Sequence, residues 1–586
     1  MEDLMQQKLL TATVCKIDWE RIHLHLYVKI EYAQGADRKA PLHFYFVDSL
    51  YRGQAKAKII DVQDDVYHLK LNITNRGNKE CVPAGAYNLI VVQDAKMMAK
   101  AVIDRAIVPK MSDHSRNFLY NARHKVYTVT FYVTEGEDDL PFTMYILASG
   151  KVAMNSVGMG KGHKKTTLNP VAGAKNWYAH NNRAIKADLY NRYHKQFFKK
   201  DGKVILIMSE QSETISTNLA AVRDRILERG MDKQGYTVLE SYRSSMTNPK
   251  MGKKSWNDTL KKMAMANFII LDDHAPLMDW LQVSKDTTVV QIWHAGAGFK
   301  SSGYSRWGHI GCPAPNSCHR QYSYGIAGSK SIAPFFSEVW GINDANVLPT
   351  GMPRIDEFLD EEHRKKKTAE IYEQYPLCKG KKVILFAPTY RGRNKASAHY
   401  PYELIDFDRL YEVCGDDYVV LFKMHPWVPY PVPIPEQYKD KFVDVNLYPN
   451  INDLFYITEL LITDYSSNIF EYSLMRKPML FFAFDEIQYS FSRGFHRDYR
   501  ESTPGKVVET FDELLTAIEN KDFEYEKVDE YVEKHFDYID THASDRVIDW
   551  IILGNIPEDI RKEIAADEAI QEELRTLDFT PKEVDK

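Results

Sequence analysis

Two histidines stand where a short apolar run gives way to a polar loop. Val289 to Trp293 runs into His294-Ala295-Gly296-Ala297-Gly298-Phe299-Lys300, and Val419 to Phe422 runs into Lys423-Met424-His425-Pro426. A histidine can take a proton from an attacking hydroxyl at neutral pH, glycines let backbone approach a phosphate, and Lys300 supplies positive charge. A third run, Val383 to Phe386, ends in Pro388-Thr389-Tyr390-Arg391-Gly392-Arg393. A fourth, Leu460 to Ile462, stops at Thr463-Asp464-Tyr465-Ser466-Ser467 before apolar Ile469, Phe470 and Leu474 resume. There Ser466 or Ser467 is expected to cap a helix whose free N–H groups and dipole suit a phosphate or diphosphate. Glu471, one turn in, is placed to meet the ribose hydroxyls of a nucleotide. Each feature alone has an ordinary structural reading, a capped helix or a strand-end histidine. Together they point to phosphate-transfer chemistry.

The elements that must carry these residues alternate as strand and helix. Val204 to Met208, Tyr236 to Leu239, Phe268 to Leu271 and Val289 to Trp293 read as buried strands, with helical stretches such as Leu219 to Leu227 between them. Val383 to Phe386, Val419 to Phe422, Leu460 to Ile462 and Met479 to Phe482 form a second set. The fold expected is α/β, with two doubly wound Rossmann-type halves at residues 201–355 and 356–550 and the site in the crevice between strand C-terminal ends.

The first 150 residues differ in kind. Ile22, Leu24, Leu26, Val28 and Ile30 alternate with polar neighbours, as do Tyr127, Val129, Phe131 and Val133, so residues 1–150 are expected to form an all-β, sandwich-like accessory module without a catalytic constellation. Residues 151–200 turn basic and aromatic: Lys161, Lys164, Lys165, Lys175, Arg183, Lys186, Arg192, Lys195, Lys199 and Lys200 interleave with Trp177, Tyr178, Tyr190, Tyr193, Phe197 and Phe198. That mixture suits an anionic membrane surface, or equally a linker helix packing its aromatics on the next domain. Residues 551–586 are acidic and helical in pattern, a solvated helix with a disordered end.

Composition narrows the class. With 586 residues, 44% hydrophobic, the chain is long enough for several packed domains. A net charge of -5 argues against a dedicated nucleic-acid binder. Six scattered cysteines, with Cys312 and Cys318 lacking zinc-knuckle spacing, read as reduced thiols of a cytosolic protein. No signal layout opens the chain, and no apolar run of about 18 residues occurs.

Five separated motifs in order, Q-I-W-H-A-G-A-G-F-K-S-S-G, L-P-T-G-M-P-R-I-D, I-L-F-A-P-T-Y-R-G, L-F-K-M-H-P and L-I-T-D-Y-S-S-N-I-F-E, resemble the CDP-glycerol and CDP-ribitol polyol-phosphate transferases that build teichoic acids. Ile17-Asp18-Trp19-Glu20-Arg21 and Ala398-His399-Tyr400-Pro401 are similar to the ribitol branch, and Trp293-His294-Ala295-Gly296 departs from the W-H-G-T-P more frequent in the glycerol branch. The resemblance implies a GT-B fold, with residues 201–355 on the acceptor side and 356–550 on the CDP-polyol side. It implies transfer of polyol phosphate, ribitol phosphate favoured over glycerol phosphate, to a hydroxyl of an undecaprenyl-diphosphate-linked teichoic acid chain, with release of CMP. The protein would act in the cytoplasm, peripheral on the inner face of the membrane. In that casting His294 is the base and His425 holds or protonates the diphosphate. Lys300, Arg354, Thr389, Arg391, Lys423, Ser466, Ser467 and Glu471 bind CDP-polyol, and Asp272 and Asp273 take an acceptor-side or structural role rather than a metal. No cofactor is required by the sequence, which leaves a divalent ion and the oligomeric state open. Two rivals remain: a non-catalytic scaffold binding nucleotide or polymer at the membrane, and a UDP-sugar glycosyltransferase.

Overall fold

The computed structural model describes residues 10–50, 53–94, 96–120, 125–133, 140–148, 170–243, 253–309, 312–392 and 395–576. Lys161, Lys164, Lys165 and Arg393 therefore lie outside the described residues, as do the end of the tail and the side chains of Lys175, Trp177 and Tyr178.

Eleven strands among the described residues of the N-terminal module hydrogen-bond as one sheet. The sheet folds over itself because the strand Gln54–Gln63 serves two layers. Its first half pairs with His43–Asp48 and its second half with Val66–Asn72. The alternating apolar positions then face one core, Leu24, Leu26 and Val28 from one layer against Phe44, Leu89 and Val129 from the other. The expected sandwich thus closes through a shared strand rather than as two separate sheets.

Two parallel six-stranded sheets follow. The first comprises β1 (Val204–Ser209), β2 (Thr237–Tyr242), β3 (Phe268–Leu271), β4 (Thr288–Gln291), β5 (Tyr324–Ile326) and β6 (Val347–Leu348), in the order β2-β1-β3-β4-β5-β6. The second comprises β7 (Lys382–Phe386), β8 (Tyr418–Phe422), β9 (Phe442–Asp444), β10 (Thr458–Thr463), β11 (Met479–Phe482) and β12 (Lys506–Val508), in the order β9-β8-β7-β10-β11-β12. Their central strands are continuous apolar runs because both faces are covered. Strand order reverses between β1 and β3 and between β7 and β10, so crevices open at those C-terminal ends.

The halves are stitched together by backbone and side chains. Lys300 forms an isolated antiparallel bridge with Phe495, and the Ser301 N–H donates to the Gly494 carbonyl at 3.1 Å. A Cβ at Gly296 would overlap the Phe470 ring, so only glycine permits this approach. After β12 the chain returns to the first half, where Arg225 meets Asp545 at 2.9 Å and Arg229 meets Asp549 at 2.6 Å.

The accessory module is packed onto this core rather than tethered beside it. Tyr304 and Trp307, from the loop after β4, lie buried within the module's own core, Trp307 stacking on Tyr120 with ring centroids 5.3 Å apart. Arg21 donates to the buried carboxylate of Glu338 at 2.9 and 3.1 Å, and His496 reaches the same carboxylate at 3.0 Å. Glu338 therefore joins the module and both sheets, and burial is outweighed by His496 and Arg21, which hold its carboxyl below the usual range.

The basic, aromatic segment is a helix, Pro170–Phe197, lying against the helix Lys253–Met265. Tyr190 is buried there, and Lys186 lies 3.6 Å from the Trp256 ring centroid. The tail helix Glu558–Thr576, expected to be solvated, instead docks on the module. Glu573 accepts from Lys56 at 2.8 Å and from the Tyr45 hydroxyl, Lys330 pairs with Glu563, and Ile560 is buried. An acidic helix reads as solvated from its own sequence, but here its counter-charges sit hundreds of residues away. No helix among the described residues is long and apolar enough to cross a membrane.

Candidate active site

Strand ends from both sheets approach one another where the halves meet, Lys300 bridging to Phe495 and Arg354 to Glu471. From the first half come Asp272 and Asp273 after β3, His294 and Lys300 after β4, and Arg354 after β6. From the second come Thr389 and Arg391 after β7, Lys423 and His425 after β8, and Ser466, Ser467 and Glu471 after β10.

His294 is held by its backbone and one ring nitrogen. Trp293 before it has φ 49°, a left-handed conformation that a bulky residue adopts only under constraint. The constraint is visible: Gln291 Oε1 accepts from the Trp293 N–H at 2.9 Å, Asn218 donates to the Trp293 carbonyl at 2.8 Å, and Arg354 Nη1 donates to the His294 carbonyl at 2.7 Å. The ring's Nδ1 lies 3.2 Å from the Asp272 carbonyl, which can only accept, so Nδ1 carries the proton. In the neutral ring Nε2 is then the acceptor, on a half-exposed side chain, the arrangement a general base needs. Asp273 lies 3.6 Å from the same Nδ1, its pKa raised by burial. The Asp272 carboxylate leaves Oδ1 buried without a hydrogen-bond partner among the described residues. Asp272 thus acts here through its carbonyl, which residue type alone could not reveal.

His425 has the opposite tautomer. Its Nδ1 accepts from the Trp427 N–H at 3.1 Å, so its proton is on Nε2. Burial, with Lys300 and Lys423 nearby, lowers its pKa to about 4, which leaves it a neutral donor at physiological pH. The Tyr390 ring packs against it at 4.6 Å. Lys300 is half-buried; burial lowers its pKa to about 8, with Asp464 opposing and Arg493 and Arg391 adding to the drop. Lys423 is buried, its Nζ donating to the Asn446 carbonyl at 2.7 Å, and burial lowers its pKa as well.

Several expected ligands are already engaged with other protein groups. Arg391 is gripped by Asp464 at 2.9 Å and by Asp485 at 2.6 and 2.8 Å, so its charge is balanced within the protein. Arg354 Nε donates to Glu471 at 2.6 Å, and Glu471 is buried. The Thr389 N–H donates to Asp464 at 2.7 Å, and its buried Oγ1 has no hydrogen-bond partner among the described residues.

The cap after β10 differs from expectation. The helix is only Ile469–Ser473, its N-cap is Asn468, and no side chain caps it. Ser466 Oγ instead accepts from the Asn468 N–H at 3.2 Å, closing a turn. The polar cluster continues as a turn because the Ser466 hydroxyl satisfies a local N–H as readily as a helix would.

Asp464, Asp485, Asn446, Asn218 and Glu338 carry the site's second layer and were not singled out by sequence. Asp464 and Asp485 follow strands β10 and β11 directly, a signal that was available; Glu338 lies inside the helix Ala333–Trp340 and gives none. His274, Asp279 and Cys318 bring possible metal-ligand atoms within 4.8 Å of one another. Burial opposes protonation of His274, but its Asp279 hydrogen bond and Cys318 raise its pKa to about 10.

Several known proteins are similar to this chain. Teichoic acid ribitol-phosphate polymerase TarL of Staphylococcus aureus is 39% identical over 359 residues, 60% of this chain and 63% of that protein. TarK of the same organism, also a teichoic acid ribitol-phosphate polymerase, is 33% identical over 516 residues, 86% of this chain and 93% of that protein. A structure of the wall teichoic acid polymerase TagF superposes with a TM-score of 0.50 at 22% identity, covering 68% of this chain and 100% of that one, a likeness of fold. Residues 189–553 match the family described as CDP-Glycerol:Poly(glycerophosphate) glycerophosphotransferase, and the chain belongs to that family.

Proposed function

We propose that this protein transfers ribitol phosphate from CDP-ribitol to a hydroxyl of a lipid-linked teichoic acid chain and releases CMP, the two sheets working as a GT-B-type pair. The observation that carries this reading is the complementary state of the two histidines. His294 Nδ1 lies against the Asp272 carbonyl, which turns Nε2 of the neutral ring into an acceptor, while His425 Nδ1 accepts from the Trp427 N–H, which puts its proton on Nε2.

The acceptor hydroxyl attacks the phosphorus that bears the ribitol, and its proton passes to His294 Nε2. A new P–O bond forms as the bond to the CMP phosphate breaks. Charge on the departing phosphate is met by Lys300 and by the His425 Nε2–H, with the Ser466–Ser467 turn and Lys423 alongside. Arg391 and Thr389 shape the nucleotide path, Arg391 through its pairing with Asp464 and Asp485. Glu471 and Arg354 set the floor of the cleft and remain candidates for the ribose and diphosphate on the donor's arrival. Ribitol is favoured because the likeness to TarK runs through the accessory module as well as the catalytic part. The exposed cations Arg183, Arg192, Lys195, Lys199 and Lys200 suit a peripheral position on the inner, anionic face of the membrane, where the acceptor's undecaprenyl diphosphate would lie.

The test is CMP release by purified protein given CDP-ribitol or CDP-glycerol in parallel, each with a lipid-linked glycerol-phosphate primer. Release with CDP-ribitol is expected. Preference for CDP-glycerol would change the donor and keep the mechanism, and release with neither would refute the reading.

A further inference from the structure

A cavity of about 560 Å³ opens where the accessory module, the loop after β4 and the segment after the helix Glu486–Ser492 meet. Five arginines line it: Arg21 and Arg116 from the module, Arg306 from the loop anchored in the module's core, and Arg493 and Arg497 from the second half. The hydrogen bonds of three of them end on neutral acceptors. Arg116 donates to the Arg21 carbonyl at 3.2 Å, and Arg493 to the Tyr390 hydroxyl and Gly392 carbonyl at 3.2 and 3.1 Å. Arg497 donates to the Ala297 carbonyl at 3.3 Å and meets the His535 ring at 2.8 Å. Among the described residues, Arg116, Arg493 and Arg497 form no ion pair with a carboxylate. The two acids in the lining are committed elsewhere, Glu486 to Arg500 at 2.9 Å and Asp498 to the Glu501 N–H at 2.9 Å. Gathering the guanidinium groups of Arg116, Arg493 and Arg497 without a carboxylate partner among the described residues is unfavourable until an anion arrives, and their planar forks suit phosphate oxygens.

The cavity's position says which anion. Ser301 in its wall directly follows Lys300, and Arg493 is close enough to Lys300 to disfavour its charge. The cavity therefore adjoins the transfer site, and one wall, with Arg116, belongs to the accessory module. We propose that it is a subsite for a phosphodiester of the acceptor polymer, built jointly by the module and the catalytic halves. This rests on the reading of the protein as a polyol-phosphate transferase and assigns the module a share of acceptor binding.

The experiment uses the full chain, with Arg116→Gln and Arg306→Gln singly and together. Arg116 is exposed, so that substitution leaves the core untouched. Calorimetric binding of a synthetic ribitol-phosphate hexamer, without donor, is expected to weaken about tenfold in each variant, as is typical of losing a charge-assisted phosphate contact. KM for the hexamer as acceptor should rise in parallel, while CDP-ribitol affinity and turnover with a single-unit acceptor stay unchanged. Unchanged hexamer affinity in both variants would overturn the subsite, and so would an equal loss of CDP-ribitol affinity, which would give the cavity to the donor. Because hexamer binding is read without turnover, absence of CMP release by the wild type would sink the proposed reaction while leaving the subsite to be decided by calorimetry.

Discussion

Arg354 and Glu471 meet across the cleft floor at 2.6 Å, and the same guanidinium holds the His294 carbonyl at 2.7 Å. One side chain from the first half thus fixes both the base-bearing loop and the helix after β10. Replacing the buried Glu471 by Ala leaves the half-buried Arg354 without its carboxylate, and breaking such a pair typically costs up to about 3–5 kcal/mol. The expected result is a lowered denaturation midpoint together with lost turnover. Glu471→Gln, which keeps a hydrogen-bond acceptor, should recover part of the stability, as read by urea titration.

His294→Ala should lower turnover by about a hundred- to ten-thousandfold, the usual contribution of a general base. CDP-ribitol affinity should change little, because the bare Nε2 serves the acceptor hydroxyl. Single-turnover rates beside calorimetric donor binding check this. Collapse of affinity with a surviving single-turnover rate would move the base elsewhere.

Lys300 gives a pH signature. Its pKa is lowered to about 8, so the cation is present below that pH and lost as pH rises through it. Because a cation is needed for the anionic donor, kcat/KM for CDP-ribitol should fall about tenfold per pH unit above about 8. Lys300→Arg, whose guanidinium stays charged, should move that fall to higher pH. A profile with the same alkaline limb in the variant would rule Lys300 out as its source.

His425 is expected to act as a neutral donor, since its pKa is lowered to about 4. His425→Ala should weaken donor binding and slow turnover together. His425→Gln, with an amide N–H in place of Nε2–H, should restore much of the donor affinity. If glutamine rescues nothing, proton transfer rather than hydrogen bonding is the histidine's work.

The strand-end histidines were legible because β4 and β8 are short apolar runs that stop abruptly, and so were the two sheets they belong to. The five-residue helix after β10 was not, since Ser466 Oγ accepts a local N–H in a turn as well as it would in a cap. Partners far apart in sequence were out of reach. Nothing near Glu338 signals that Arg21 and His496 will converge on it, and nothing around Arg391 signals Asp485. The charges of Arg354 and Arg391 were visible, but not that protein carboxylates would already meet them.

The docking of Glu573 against Lys56 and Tyr45 makes the chain a closed circuit: module, first half, second half, tail, and module again. The module is thereby moored both through the loop after β4 and through the tail helix. Each mooring holds the other at high local concentration, so contacts too weak to join separate proteins suffice here. Tilting of the module away from the cleft is opposed at two points, and a cut in the tail would loosen a wall of the arginine cavity far from the break.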